Sequence, residues 1–270
     1  MKTVILSYNH PELTCRTILS ALKYTSNILL VHNGSLATHR DRLIDQFPNI
    51  EHHIISENVG YSGGANKGLL EAFKKSPWAL FLTNDCTLEE LPPLPALPGI
   101  YCPVIYKRAQ FLIDSVGAYF EPKKGRLVHC RSSEDFIEAK KTKKIYAPGS
   151  AFLVHQSVFE ATGGFDETYG TYWEDVDWSL RATQLGYVIE LLPQFTVRHG
   201  VGKTCHKNSD YTIYYFQRNR KRLSFKHNPK IKDRLHITTR LAQDWTRLAL
   251  QLTQKKRYSD LRKLMKAIID

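Results

Sequence analysis

Apolar residues in the first 105 positions fall into short continuous runs, separated by stretches with the period of a helix. The runs Thr3 to Tyr8, Ile28 to His32, His53 to Ser56, Ala79 to Thr83 and Ile100 to Ile105 read as strands, and Pro11 to Tyr24, Leu36 to Phe47 and Gly64 to Lys74 read as helices. Strands that are apolar throughout and spaced by helices predict an α/β fold with a mainly parallel sheet covered on both faces. Ligands of such sheets bind beyond the carboxyl ends of the strands. Three motifs stand there: Ser7-Tyr8-Asn9, His32-Asn33-Gly34-Ser35 and Thr83-Asn84-Asp85.

From 107 to 150 the pattern becomes antiparallel and irregular, with Lys123-Lys124-Gly125 as a hairpin turn between Val116 to Phe120 and Leu127 to Cys130. Ala151 to His155, Tyr187 to Leu192 and Phe195 to Val197 read as further strands, and the chain beyond about 217 as helical. In that tail Ile237, Leu241, Trp245, Leu248 and Leu252 form a stripe at helical spacing. There are no repeats or low-complexity stretches. The expected division is a catalytic-type domain over 1–225 and a basic amphipathic tail over 226–270.

Asp175 to Leu185 reads as a helix, with apolar or small residues at Val176, Leu180, Ala182 and Leu185 and with Gly186 at the cap position. Glu174, Asp175 and Asp177 crowd its first turn, where the helix dipole favours an ionised carboxylate able to accept a proton. Residues two apart face different directions, so Asp175 and Asp177 cannot serve one pocket. Asp177 stands four before Arg181, the spacing of a structural pair, which leaves Asp175 for chemistry. The same acids also read as plain caps of a helix start.

The net charge of +12 is concentrated in the tail: residues 218–270 hold 16 Lys and Arg against 4 acids, a surplus of 12. A neutral body with a basic tail points to an anionic partner surface, lipid headgroups or nucleic acid. The five cysteines, at 15, 86, 102, 130 and 205, are too scattered for a disulfide framework or a structural zinc site, and a reducing cytosol is the expected compartment. No apolar run approaches the ~18 residues of a membrane span, and the first residues lack a basic leader.

Asn58-Val-Gly60-Tyr-Ser-Gly63-Gly64-Ala-Asn66-Lys-Gly68 is a glycine-rich segment between a strand and a helix. Its glycines allow backbone N–H groups to approach a phosphate, although glycines also make tight turns in proteins that bind nothing. It matches neither the P-loop nor the dinucleotide fingerprint. Asp85 at a strand end and His199 after another strand are candidate oxygen and imidazole ligands for a divalent cation. Cys86 beside Asp85 offers a soft ligand but reads first as a buried small hydrophobe.

Taken in order, these pieces resemble the family-2 glycosyltransferases of the GT-A fold, especially their bacterial rhamnosyltransferase-like branch. The resemblance runs from Val4-Ile-Leu-Ser-Tyr-Asn9 through Val31-His-Asn-Gly-Ser35, the Asn58 to Gly68 segment and Asn84-Asp85. It continues through Gly149-Ser-Ala-Phe-Leu-Val154, Gly163-Gly-Phe-Asp-Glu167, Tyr172-Trp-Glu-Asp-Val-Asp177, His199 and Tyr214-Tyr-Phe-Gln-Arg-Asn219. It implies a Rossmann-like nucleotide-binding sheet joined to a mixed acceptor-side half, and transfer of a sugar with inversion from a UDP-, dTDP- or GDP-linked donor. The implied acceptor is a hydroxyl of a bacterial surface glycan or its lipid-linked precursor. On the same resemblance Asp175 is the general base, Asp85 and His199 hold Mn2+ or Mg2+, and Ser7, Asn9, His32, Asn33, Asn58, Gly60, Asn66 and Asn84 lie at the nucleotide-sugar pocket. Two positions depart from the family pattern. His32 stands where the family has an Asp that contacts the base or ribose, and Thr83 stands where the metal motif has its other acid. Competing readings are a nucleic-acid-binding protein that uses the tail, which lacks a recognition motif, and a non-catalytic relative. The expected location is the cytosol, with contact to the inner face of the cytoplasmic membrane through the tail.

Overall fold

A computed structural model of the chain describes residues 1–107, 112–200, 210–228 and 230–270; Cys205 lies outside them. The first half alternates β1 (Lys2–Ser7), α1 (Pro11–Leu22), β2 (Ile28–Asn33), α2 (Ala37–Gln46), β3 (Glu51–Ile55), α3 (Gly60–Phe73) and β4 (Trp78–Thr83). There follow β5 (Cys86–Glu90), β6 (Gly99–Lys107), β7 (Ile113–Ser115), β8 (Ala118–Glu121), β9 (Arg126–His129), α4 (Ser133–Thr142), β10 (Lys144–Tyr146), β11 (Ala151–His155) and α5 (Gln156–Thr162). The chain closes with α6 (Glu174–Gln184), β12 (Val188–His199), α7 (Asp210–Lys226), α8 (Ile231–Gln254) and α9 (Tyr258–Ile269).

The main sheet runs in the order β3-β2-β1-β4-β11-β6-β12-β5, with β7 paired to β6. Its first four strands are parallel and carry the expected covered faces. Successive residues of β1 alternate between two cores, as the pleat requires: Val4 and Leu6 join α3, while Ile5 joins α1 and α2. Beyond β4 the sheet is mixed, because β11 is antiparallel to both β4 and β6 while β12 is parallel to β6. The hairpin at Lys123-Lys124-Gly125 forms as expected between β8 and β9, and with β10 makes a separate three-stranded sheet.

The glycine-rich segment belongs to a helix rather than to a phosphate-cradling loop. α3 starts at Gly60, four residues ahead of the expected start, and packs directly on β1 and β2. A Cβ on Gly68 would lie 2.8 Å from Val31 Cγ2, and one on Gly64 would lie 2.9 Å from Leu6 Cδ1. These glycines set the helix-to-sheet distance, and alanine at either would overpack it at a cost of about 1–3 kcal/mol.

The tail is three helices that fold back on the protein. Ile213 of α7, Leu252 of α8 and Leu264 of α9 are buried together, with Trp245 and Leu248 against them. Ile237 and Leu241 are also fully buried. The stripe read from the sequence is therefore spent on internal packing and is not free to enter a membrane. No helix among the described residues is long and apolar enough to cross one.

Candidate active site

The acid turn is built by backbone strain and tail contacts together. Tyr172 and Trp173 are consecutive non-glycine residues in the left-handed region, at φ 66 and 74. Such residues cost on the order of 1–3 kcal/mol each and persist only where their surroundings over-determine them. The surroundings here are explicit. Trp173 is buried between Phe120 and Phe216, with ring centroids 6.0 and 5.2 Å away. Asn219 of α7 is fully buried, and its amide donates to the carbonyls of Tyr169, Thr171 and Tyr172 at 2.9, 2.8 and 2.9 Å. Arg218 adds donors to the Thr168 and Tyr169 carbonyls at 2.8 and 3.0 Å. The turn releases the chain into α6 with its acids aimed apart, as the helical spacing predicts.

Asp177 is fully buried and answers to two cations, Arg181 at 2.8 Å and Lys226 at 2.6 Å, so it is a structural anchor between α6 and α7. Asp175 points elsewhere. Its Oδ2 accepts from the Gly149 N–H at 2.9 Å and its Oδ1 from the Val176 N–H at 2.8 Å. Burial raises its carboxyl from 3.8 to about 6, although the backbone donors pull it the other way. Glu174 beside it is 5% exposed, and its Oε2 has no hydrogen-bond partner among the described residues. Burial first, and then the Asp175 charge, hold that carboxyl well above the ordinary glutamate range.

Asp85 lies at the end of β4, also buried, and its Oδ1 accepts from Thr83 Oγ1 at 2.7 Å. Thr83, in the place of a second acid, thus orients the acid that is present. The register of β12 on β5 sets His199 opposite Cys86 and brings His199 Nε2 to 3.4 Å from Asp85 Oδ2. Burial raises the Asp85 carboxyl, but the hydrogen bond and charge of His199 and the Thr83 hydroxyl outweigh it and leave the group below its ordinary value. Ligand atoms of Asp85, Cys86 and His199 all lie within 4.8 Å of one another. Neighbouring ligands of one octahedral cation, at about 2.1 Å from it, stand about 3 Å apart, so a carboxylate and an imidazole at this separation fit Mn2+ or Mg2+. Cys86 is fully buried and its Sγ donates to the Ser150 carbonyl at 3.2 Å, which agrees with a packed thiol.

Gly149 and Ser150, just ahead of β11, join the two clusters. The Gly149 N–H binds Asp175, while the Ser150 carbonyl accepts from the Thr83 N–H at 2.9 Å and lies 3.2 Å from Thr83 Oγ1, whose proton goes to Asp85. Two residues span at most about 7 Å. Tyr61 Oη donates to the Gly149 carbonyl at 2.5 Å and fixes that peptide from α3. Sequence reasoning quoted Gly149 and Asn219 within motifs but gave neither a role. Their signals were a glycine before a strand and an amide in a basic helix, which become informative only when the folded contacts are known.

The remaining predicted site residues divide. Asn9, Asn33, Asn58 and Gly60 come together at the carboxyl ends of β1 and β2. Asn33 donates to Asn58 Oδ1 at 3.2 Å and to the Gly60 carbonyl at 2.9 Å, and Asn9 accepts from the Leu36 N–H at 3.0 Å. Ser7, Asn66 and Asn84 are buried, as Asn33 is, and bond to groups of the framework. Ser7 Oγ and Asn84 Nδ2 meet Thr14 Oγ1 at 2.9 and 3.2 Å. Asn66 clamps α3 to Phe165, accepting its N–H at 2.8 Å and donating to its carbonyl at 2.9 Å. His32 is buried, with Nε2 3.0 Å from His52 Nδ1, and His52 Nε2 lies 3.0 Å from the Phe47 carbonyl. A carbonyl only accepts, so His52 carries its proton on Nε2 and receives the His32 Nε2–H on Nδ1. Burial first and then the neighbouring His52 lower His32 to about 4, so it is a neutral imidazole at neutral pH, and its Nδ1 has no hydrogen-bond partner among the described residues.

No protein-family profile matches the chain. It is 23% identical over 222 residues, 70% of this chain and 71% of the other, to an N-acetylglucosaminyl-diphospho-decaprenol L-rhamnosyltransferase of Mycobacterium tuberculosis. Among solved structures it is similar to GalNAc-T7 bound to UDP, GalNAc and Mn2+, with a TM-score of 0.63 and 16% identity over 83% of this chain. The chain spans 47% of that protein's length. It is similar also to the mannosyltransferase PcManGT of Pyrobaculum calidifontis bound to GDP-Man and Mn2+, with a TM-score of 0.56 and 13% identity over 99% of this chain and 85% of that one. With S. aureus TarS 1-349 the TM-score is 0.52, at 12% identity over 99% of this chain and 90% of that one. A mixed α/β sheet with parallel and antiparallel halves, shared with these transferases, gives this chain the GT-A fold of glycosyltransferases.

Proposed function

We propose that this protein is an inverting glycosyltransferase that moves a sugar from a nucleotide-linked donor to a hydroxyl of a bacterial surface glycan or of its lipid-linked precursor. The observation that carries the reading is the Gly149-Ser150 bridge, with a raised, backbone-oriented carboxylate on one side and an Asp85–His199 pair on the other. Asp175 takes the proton of the acceptor hydroxyl as that oxygen attacks the anomeric carbon, and a base near the working pH is suited to it. Inversion by a single displacement requires this base on the face opposite the leaving group. Asp85 and His199 would hold Mn2+ or Mg2+, which supplies positive charge for the departing diphosphate. Asn9, Asn33 and Asn58, at the carboxyl ends of β1 and β2, receive the nucleotide, as ligand binding at strand ends leads one to expect. The similarity to a rhamnosyltransferase whose name specifies a lipid diphosphate acceptor supports an acceptor of that class.

The test is a panel of UDP-, dTDP- and GDP-sugars incubated with and without Mn2+, with Asp175→Asn as control. Metal-dependent donor turnover that the variant loses supports the reading. Turnover of no donor, with no nucleoside diphosphate bound, overturns it.

A further inference from the structure

The inward stripe of α8 is covered by the protein, but its opposite face is not. Ile231, Leu235 and Leu250 are 86, 69 and 59% exposed, the first two one turn apart at the start of the helix and the third near its end, with exposed Ala242 and Thr246 between them. Exposed Lys232, Arg240 and Arg247 border this row. Where α8 passes the β8–β9 hairpin, a groove of about 270 Å3 is lined by Lys123, Lys124, His236, Thr239, Arg240 and Gln243. Acids offset part of this charge: Asp233 lies 3.6 Å from Lys123 and Glu121 3.2 Å from Lys124, while Asp244 is engaged by Arg220 of α7 at 2.6 Å and lies 3.9 Å from Arg247, which leaves the cations in excess. Within 230–270 there are 11 Lys and Arg against 4 acids.

We infer that the outer face of α8 seats on an anionic lipid surface, with its aliphatic row in the headgroup boundary and lipid phosphates in the Lys123–Lys124–Arg240 groove. Aliphatic side chains flanked by cations match an interface that offers apolar depth and negative charge together. A nucleic-acid strand would favour aromatic platforms among the cations, and this row has none. A second copy of the chain would bring the same cations face to face. The surface serves the proposed reaction by holding the site near a lipid-linked acceptor and rests on that reading for its purpose; the binding itself is measured without donor or acceptor.

The experiment sediments the full-length chain with vesicles of phosphatidylcholine, with and without phosphatidylglycerol, at low and raised salt. The chain is expected to pellet only with phosphatidylglycerol and to be released by salt. Leu235→Gln with Leu250→Gln, and separately Lys123→Gln with Arg240→Gln, each weaken partitioning by roughly tenfold or more. All four side chains are exposed or line an open groove, so melting temperature and donor hydrolysis stay as in the parent. Equal partitioning of parent and variants, or a parent that ignores anionic vesicles, overturns the inference. So does salt-sensitive binding to DNA or RNA without binding to vesicles, or a dimer in solution that Leu235→Gln dissociates. Loss of donor turnover with intact vesicle binding would instead strike the proposed reaction alone.

Discussion

Asp175 Oδ2 accepts the backbone N–H of Gly149 at 2.9 Å, and this one bond ties the acid of α6 to the segment that contacts Thr83 beside Asp85. A carboxylate held by main chain on both oxygens has a fixed orientation, and burial sets its affinity for protons. Replacing it with Asn keeps the shape and removes the basicity. Transfer by Asp175→Asn is expected to fall by about 10² or more, with the dissociation constant of the nucleoside diphosphate nearly unchanged. In the parent, kcat/KM should rise with pH through about 6 as the carboxyl ionises. A pH profile flat through that range, or near-normal turnover in the variant, rules Asp175 out as the base.

The same shift fixes a stability consequence. The folded-state value of about 6 lies above the ordinary 3.8, so between these the native state holds a proton that the unfolded state has lost. Stability from this group is therefore present below about pH 4 and is lost as pH rises through about 6. Asp175→Asn removes the cost of ionising a buried carboxyl, an upper bound of about 3 kcal/mol at pH 8. Thermal melts should find the variant more stable than the parent at pH 8, with the gap closing toward pH 4. A gap of the opposite sign would mean that the two N–H bonds outweigh the burial.

Asp85 and His199 are separated by 114 positions in sequence but by 3.4 Å between Oδ2 and Nε2. Asp85→Asn and His199→Ala are each expected to weaken Mn2+ binding in the presence of nucleoside diphosphate and to lower transfer by roughly a hundredfold, and EDTA is expected to abolish transfer. Calorimetry with Mn2+ and a nucleoside diphosphate separates the metal effect from a folding defect. Full activity in EDTA would refute metal dependence. Thr83→Val should have a smaller effect of the same kind, since it removes the hydroxyl that orients Asp85 and leaves the carboxylate itself.

Gly149 has little room for a side chain. A Cβ there would lie 2.8 Å from Tyr61 Oη and 3.3 Å from Asp175 Cβ. Gly149→Ala should displace the peptide that binds Asp175 and lower kcat by roughly tenfold or more, with a smaller change in donor KM. Tyr61→Phe removes the bond to the Gly149 carbonyl without crowding and should cost about 1 kcal/mol in stability. If Gly149→Ala turns over normally, the bridge is not a constraint on the base.

Where a single element carries its own pattern, the sequence disclosed it. The parallel strands β1, β2 and β4 are continuous apolar runs, and the Asp177–Arg181 pair follows from a four-residue spacing. What escaped depends on partners far along the chain. β5 is short, polar at alternate positions and exists because β12 pairs with it. The start of α3 contains glycines that disfavour helix locally, and packing on β1 and β2 overrides that preference. α4 was legible but unread: Ser132 caps it by accepting from the Asp135 N–H at 3.1 Å, with acids in its first turn and lysines in its last. In α8 the period of the buried stripe was plain, while the surface that would cover it was not. At the site, residue types at strand ends could not tell that Ser7 and Asn84 bond to Thr14 and that Asn66 bonds to the Phe165 main chain.

Asn219 supplies the clearest test of whether α7 belongs to the catalytic machinery. Its two amide hydrogens are shared among three carbonyls of the strained turn ahead of Asp175, and Arg218 beside it donates to two carbonyls of the same stretch. Asn219→Ala leaves buried carbonyls without a donor, which costs on the order of 1–3 kcal/mol. If the loss were only structural, melting temperature would fall and turnover at a permissive temperature would survive. Because Tyr172 and Trp173 hold left-handed backbone only while their surroundings enforce it, relaxation of the turn should also swing Asp175 from its place, lowering kcat by tenfold or more while the nucleoside diphosphate binds as before. Asn219→Ala with parental kcat below its melting temperature would show that the aromatic packing of Trp173 against Phe120 and Phe216 suffices to hold the acid.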